Sequence, residues 1–267
     1  MILTGLGRGA FLIFLTSFAQ GQSASPNQFD VASVKAYEIR DGNFMIRPQL
    51  DGTFRAVGVT VKMLIMFAYN VKAFQVSALP RWAGTDLWEI QAKTEGLSGA
   101  PSRRDLQARV QALLEERFLL KAHLERHTMP VYALVLVNGS RAKLTAASGN
   151  DQPGICPCGR SSLPATRASM AMLADQLSTR LWRTVIDKTG MKGYYAFKLE
   201  WTPEPNEYGP EALGLPPGVG SSPMPEGANL GPTIFTALRE QLGLRLKSEK
   251  EPVEVVVIDR VAKPTEN

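Results

Sequence analysis

The sequence predicts an α+β fold made of duplicated helix-strand-strand units, entered through an N-terminal β-hairpin. Three observations carry this. Four segments have apolar residues at helical spacing, each behind a Ser or Thr placed as an N-cap. Short apolar runs of strand length follow each of them. The second and fourth units share a register: Glu116-Arg-Phe-Leu-Leu-Lys121 aligns with Glu240-Gln-Leu-Gly-Leu-Arg245, and Pro130-Val131 with Pro252-Val253.

Taken in order, the elements are these. Alternation from Phe29 to Lys35 reads as a strand. Phe44 to Leu50 and Thr53 to Val57 flank Asp51-Gly52, a hairpin signal, and Pro48 suits an edge strand. The first helix starts at Thr60 and turns Leu64, Phe67, Ala68 and Val71 inward. The second starts at Ser102, with Leu106, Val110, Leu113 and Leu114 as its stripe. The third starts near Ser169 and buries Leu173, Leu177 and Leu181. The fourth starts at Thr233 and buries Phe235, Leu238 and Leu242. After the first helix come strands at Phe74 to Ser77 and Leu87 to Ala92. After the second come Phe118 to Leu124 and Val131 to Val137. After the third come Thr184 to Asp187 and Tyr194 to Trp201. After the fourth come Leu244 to Lys247 and Val253 to Ile258. The Val-rich runs suit central strands buried on both faces.

The N-terminus has the three parts of a cleavable export signal over residues 1–24. A charge at Arg8 precedes the apolar run Ala10 to Phe18, and small residues end at Ala19, with Ala24 as a second cleavage position. The apolar run is too short for a span needing about 20 residues, and no other stretch is long enough. The mature protein is therefore expected to be exported, periplasmic or secreted. Its first half covers 25–147 and a Gly/Pro/Cys linker 148–165. The second half covers 166–267, with a Pro/Gly-rich insertion at 203–232 expected to be a mobile loop. The net charge of +5 is scattered along the chain. With export, that argues against nucleic acid and leaves an envelope protein, a peptide or an anionic polymer as partner classes.

Few residues suggest chemistry. Arg81-Trp82 is a candidate binding pair; the competing reading folds the Trp over the edge of the core. Cys156 and Cys158, the only cysteines, are candidates for a strained local disulfide. A free pair and a metal-binding pair remain open beside it. His123 and His127 are the only histidines. On a strand their spacing is read as too long to share a metal, so no metal site and no cofactor are expected. Val185-Ile-Asp187 and Val257-Ile-Asp259 recur at matching places and suit turns more than paired catalysis. No catalytic constellation emerges, so no enzyme is expected.

Several of these stretches together resemble a known family. They are Phe29 to Lys35, Pro80-Arg-Trp82, Arg117-Phe-Leu-Leu-Lys-Ala-His123, Met129-Pro-Val-Tyr-Ala-Leu134, Val185-Ile-Asp-Lys-Thr-Gly190, and Glu240 to Leu244 with Val257-Ile-Asp259. The family they resemble is a large paralogous set of exported proteins of soil acidobacteria, the Solibacter type. It is a domain of unknown function, also found fused to membrane metallopeptidases of the beta-lactam-sensing antirepressor type. The resemblance implies an extracytoplasmic binding or sensing role and carries over no catalytic residue. The strand running into a capped helix at Thr53 to Leu64 is also similar to the short αβ modules of secretins and TonB-dependent receptors. The function expected is thus a non-catalytic extracytoplasmic binding or sensing module. The alternatives are a secreted hydrolase with an unrecognised site and a structural envelope-associated protein.

Overall fold

The computed structural model describes residues 27–38, 45–49, 51–95, 101–137, 143–149, 152–156, 161–203, 214 and 231–264. The expected export signal and Cys158 lie outside them, as does the insertion at 203–232 apart from its ends and Gly214.

The class is α+β. The first half begins with β1 (Val31–Ala36), β2 (Met45–Pro48) and β3 (Thr53–Val59). Helix α1 (Val61–Tyr69) leads to β4 (Val76–Ser77) and β5 (Trp88–Lys93), and α2 (Arg103–Arg117) leads to β6 (Lys121–Leu136). The second half repeats most of this plan. It takes in β7 (Thr145–Ala146), which the expected bounds leave in the first half but which pairs with β10, and runs through β8 (Ser162–Ala168), α3 (Met170–Arg180), β9 (Val185–Asp187) and β10 (Tyr195–Glu200). It ends with α4 (Ile234–Ala237), which loosens into a π-turn over Leu238–Leu242, and β11 (Leu244–Arg260).

All four expected N-caps form. Thr60, Ser102, Ser169 and Thr233 accept from the backbone N–H of Met63, Asp105, Met172 and Thr236. Each satisfies one of the donors a helix start leaves orphaned. At the other end of α1, Gln107 and Gln111 donate to the carbonyls of Phe67 and Ala68. The second helix therefore closes the end of the first. Phe235 departs from expectation: it is exposed and meets the Tyr132 ring edge-on.

Each half has its own antiparallel sheet, in the order β1-β5-β3-β2 in the first and β7-β10-β8 in the second. The hairpin puts β2 on an edge, as Pro48 suggests. The matching flank of β8 is lined by a short stretch of chain: Gly154 bridges Arg167, and the N–H of Cys156 donates to the Pro164 carbonyl. Cys156 is disulfide-bonded.

The third sheet, β4-β11-β6-β9, joins the halves. Here the expectation of two strands after the second and fourth helices is corrected. β6 and β11 are each one continuous strand, of 16 and 17 residues, paired antiparallel from Leu244↔Leu136 to Arg260↔Lys121. The polar stretches that looked like turns, Glu125–Thr128 and Ser248–Glu251, are the middle of a ribbon wet enough to need no apolar alternation. The flanking strands are exchanged. β4 of the first half runs parallel to β11, and β9 of the second half runs parallel to β6.

Two cores result. The first gathers Phe54, Leu64, Ile65, Ile90, Leu114 and Phe118, and reaches the ribbon at Val256 and Ile258. The second gathers Leu163, Leu173, Leu177, Leu199, Ile234 and Leu238, and reaches it at Leu134 and Leu244. Each core thus takes ribbon residues from one end of the same strand pair. The duplication extends to backbone detail: Leu119 after α2 and Gly243 after α4 both turn left-handed, at φ 50° and 68°.

Candidate functional site

Where α1 of the first half faces α3 of the second, a groove opens. Asn70, the left-handed C-cap of α1, sits where its three hollows meet. The largest, about 540 Å³, is bounded by Arg103 on one side and by Met172, Asp175 and Gln176 on the other. A second, about 250 Å³, has Met63, Met66 and Phe67 as an apolar wall. The third, about 260 Å³, runs past Lys72 toward Asp187.

Contacts between the halves fix the width of this groove. Lys72 Nζ pairs with Asp175 at 2.7 Å across it, while within the first half Arg103 Nη2 donates to Asn70 Oδ1 at 3.2 Å. The Lys62 ammonium lies 6.0 Å from the ring centroid of Trp182. Gly214, inside the insertion, is buried against α1. Its carbonyl accepts from Thr60 Oγ1 at 2.8 Å, and an added Cβ would meet Met66 Sδ at 2.9 Å and Met63 Cγ at 3.0 Å. Thr60 thus caps its own helix and holds a residue of the other half.

Of the residues singled out from sequence, Asp187 reaches the groove, at the end of its third hollow, and the others fall elsewhere. Trp82 is half-buried against the edge of the first core, with the Lys263 ammonium 5.7 Å from its ring and Lys263 paired to Asp86. Arg81 is exposed in the same turn, and neither lines the groove. Asp187 closes a turn: its Oδ1 accepts from the N–H and hydroxyl of Thr189 at 2.9 and 2.7 Å. Asp259 lies at the opposite end of β6, beside Lys121, whereas Asp187 pairs with Leu134. Thirteen residues of strand put them about 40 Å apart, too far to act together.

The histidines keep the four-residue strand spacing read from the sequence, and a carboxylate lies between them. His123, Glu125 and His127 share one face of β6, and one carboxylate spans both rings. Glu125 Oε1 lies 2.8 Å from His123 Nε2, and Oε2 lies 2.6 Å from His127 Nε2. Asp259 Oδ2 lies 2.9 Å from His123 Nδ1. The β11 register shifts between Ile258 and Arg260, and the extra residue is Asp259. That bulge carries its carboxylate to the imidazole. The signal was present in the sequence as alternate residues of a strand, but it shows only once β6 is known to be continuous.

The Asp259 hydrogen bond, then that of Glu125, raises the His123 pKa. The His127 and His123 hydrogen bonds hold Glu125 below the ordinary carboxylate value. The raised imidazole contributes fully below the ordinary value of about 6.5, and its contribution is lost as pH rises through the folded-state value. The lowered carboxylate contributes above its ordinary value and is lost as pH falls through its depressed one. In an NMR titration the His123 midpoint is therefore expected above about 6.5, returning toward it in Asp259→Asn. An unshifted midpoint in the wild type would refute the pairing.

Residues 62–261 match the model of a family described as a protein of unknown function (DUF3738). No curated protein and no solved structure matches the chain.

Proposed function

The chain belongs to the DUF3738 family of proteins of unknown function, and from that premise we propose that it is an exported, non-catalytic binding module. It holds an extended peptide, of a protein partner or free, in the groove between its halves. The observation that carries this reading is the groove itself. Its walls come from both halves, and it sets the apolar Met63, Met66 and Phe67 near the charged Lys72, Arg103 and Asp175. A concave site with a few fixed polar groups on an apolar wall is the usual form of a ligand seat. An envelope polymer is a weaker fit, because the wall beside the charges is apolar.

Two observations favour binding over hydrolysis. The recurring aspartates sit at opposite ends of β6. The charged groups of the groove already have hydrogen-bond partners, Lys72 in Asp175, Arg103 in the Asn70 amide and Asp187 in Thr189. A purely structural envelope role has no use for a groove of this size.

The groove is tested with a displayed library of random peptides selected against the mature chain. Enriched peptides are expected to lose at least tenfold in affinity to the Arg103→Glu and Met66→Asp variants, since each 1.4 kcal/mol is worth a factor of ten. They should be indifferent to Lys247→Glu on the distant ribbon. Peptides indifferent to both groove variants would remove the groove as the site. Export is tested by N-terminal sequencing of the protein released from cells. The expected first residue is Gln20, or Ser25 if the second cleavage position is used. A chain beginning at Met1 would contradict export.

A further inference from the structure

We propose that Arg183, Tyr132 and Phe235 form a docking seat for an acidic segment of a partner protein. A carboxylate of that segment meets the Arg183 guanidinium, and the apolar residue beside it packs on Phe235. The geometry is that of a stack with an open edge. The guanidinium carbon of Arg183 lies 4.1 Å from the centroid of the Tyr132 ring. The Phe235 ring meets the same ring edge-on at 5.6 Å. Helical spacing puts Phe235 inward, yet it leaves 40% of its surface exposed while its neighbour Ile234 is fully buried.

The charge of Arg183 is what selects the partner. Where Lys263 lies over Trp82, its ammonium also pairs with Asp86 at 2.7 Å. Among the described residues no carboxylate stands beside Arg183 in that way. Its Nε is buried without a hydrogen-bond partner, and the two outer nitrogens, which have none either, stay open to solvent. Two parallel N–H donors in one plane match the two oxygens of a carboxylate. Stacking on the ring holds that plane ready, so little side-chain freedom is left to lose on binding. Arg and Tyr are also among the residues that concentrate binding energy at interfaces.

The backbone holds the seat still. Tyr132 pairs with Val185, and its N–H donates to the Thr184 carbonyl at 2.8 Å. The Arg183 N–H donates to the Ser178 carbonyl at 3.3 Å, and the buried Ser178 hydroxyl accepts from the Val185 N–H at 2.8 Å. Trp182, the residue before Arg183, is left-handed at φ 50°. That conformation favours glycine or asparagine, and strain of this kind persists where the surroundings enforce it, often at binding sites. A protein segment fits better than an anionic polymer, because the exposed Phe235 beside the cation calls for an apolar side chain. None of the three residues lines a hollow of the groove, so the seat is separate from it.

The test uses the mature chain and a displayed library of random peptides, with the enriched peptides resynthesised and titrated calorimetrically. One class is expected to carry Asp or Glu next to an apolar residue. These peptides should lose at least about tenfold in affinity to Arg183→Gln and to Phe235→Ala. Changing their acidic residue to its amide should cost as much against the wild type and little more against Arg183→Gln, because the two changes remove the same contact. Arg183→Lys, which keeps the charge, should bind them better than Arg183→Gln. Circular dichroism of each variant confirms that it is folded; should Arg183→Gln be unstable, the amide peptide against the wild type decides. Absence of enriched acidic peptides would overturn the seat, as would affinity unchanged in both Arg183→Gln and Phe235→Ala. The groove is read separately, from Arg103→Glu and Met66→Asp, so either site can fail while the other stands.

Discussion

The pairing of β6 with β11 is the interaction on which the rest of the structure depends. Sixteen and seventeen residues lie side by side, and the partner strands at the two flanks are exchanged between the halves. Without β11, β4 has no neighbour in its sheet; without β6, β9 has none. The two cores reach opposite ends of this ribbon, the first through Val256 and Ile258 and the second through Leu134 and Leu244. A net contribution of about 1 kcal/mol per backbone hydrogen bond is modest singly. Along a ribbon of this length, with buried residues at both ends, it couples the halves.

That coupling also creates the candidate sites. The groove exists because the ribbon sets α1 opposite α3, and the Lys72–Asp175 pair spans it at 2.7 Å. An exposed ion pair of this kind adds little stability. Its importance here is spatial, since it joins residues 103 positions apart in the chain. The histidine cluster depends on the ribbon more directly: three of its residues alternate along β6, and the fourth is delivered by a bulge in β11.

What the sequence made legible was local. Each N-cap is chemistry between residues three apart, so Thr60, Ser102, Ser169 and Thr233 could be read before any fold was known. The hairpin around Asp51-Gly52 is local too. The length of β6 and β11 was hidden because strand patterns are read from alternating burial. Glu125 to Thr128 is exposed on both faces of the ribbon. The histidine cluster was missed for the same reason. The spacing of His123 and His127 on a strand reads as too long to share a metal, and says nothing of the Glu125 carboxylate that each ring reaches from its own side. The exchange of β4 and β9 depends on pairings between residues about 50 and 180 positions apart, for which a single sequence carries no signal.

The most direct test of the interlocked ribbon is equilibrium unfolding in urea, read separately from each half. The four tryptophans divide evenly, with Trp82 and Trp88 in the first half and Trp182 and Trp201 in the second. Two variants, each keeping one pair and replacing the other with Phe, report on one half apiece. Interlocked halves predict that each variant gives the same transition by fluorescence as by circular dichroism, which reads the whole chain. A half whose fluorescence transition is separated from the circular dichroism transition of the same variant would contradict the account, because that half would then be folding without the other.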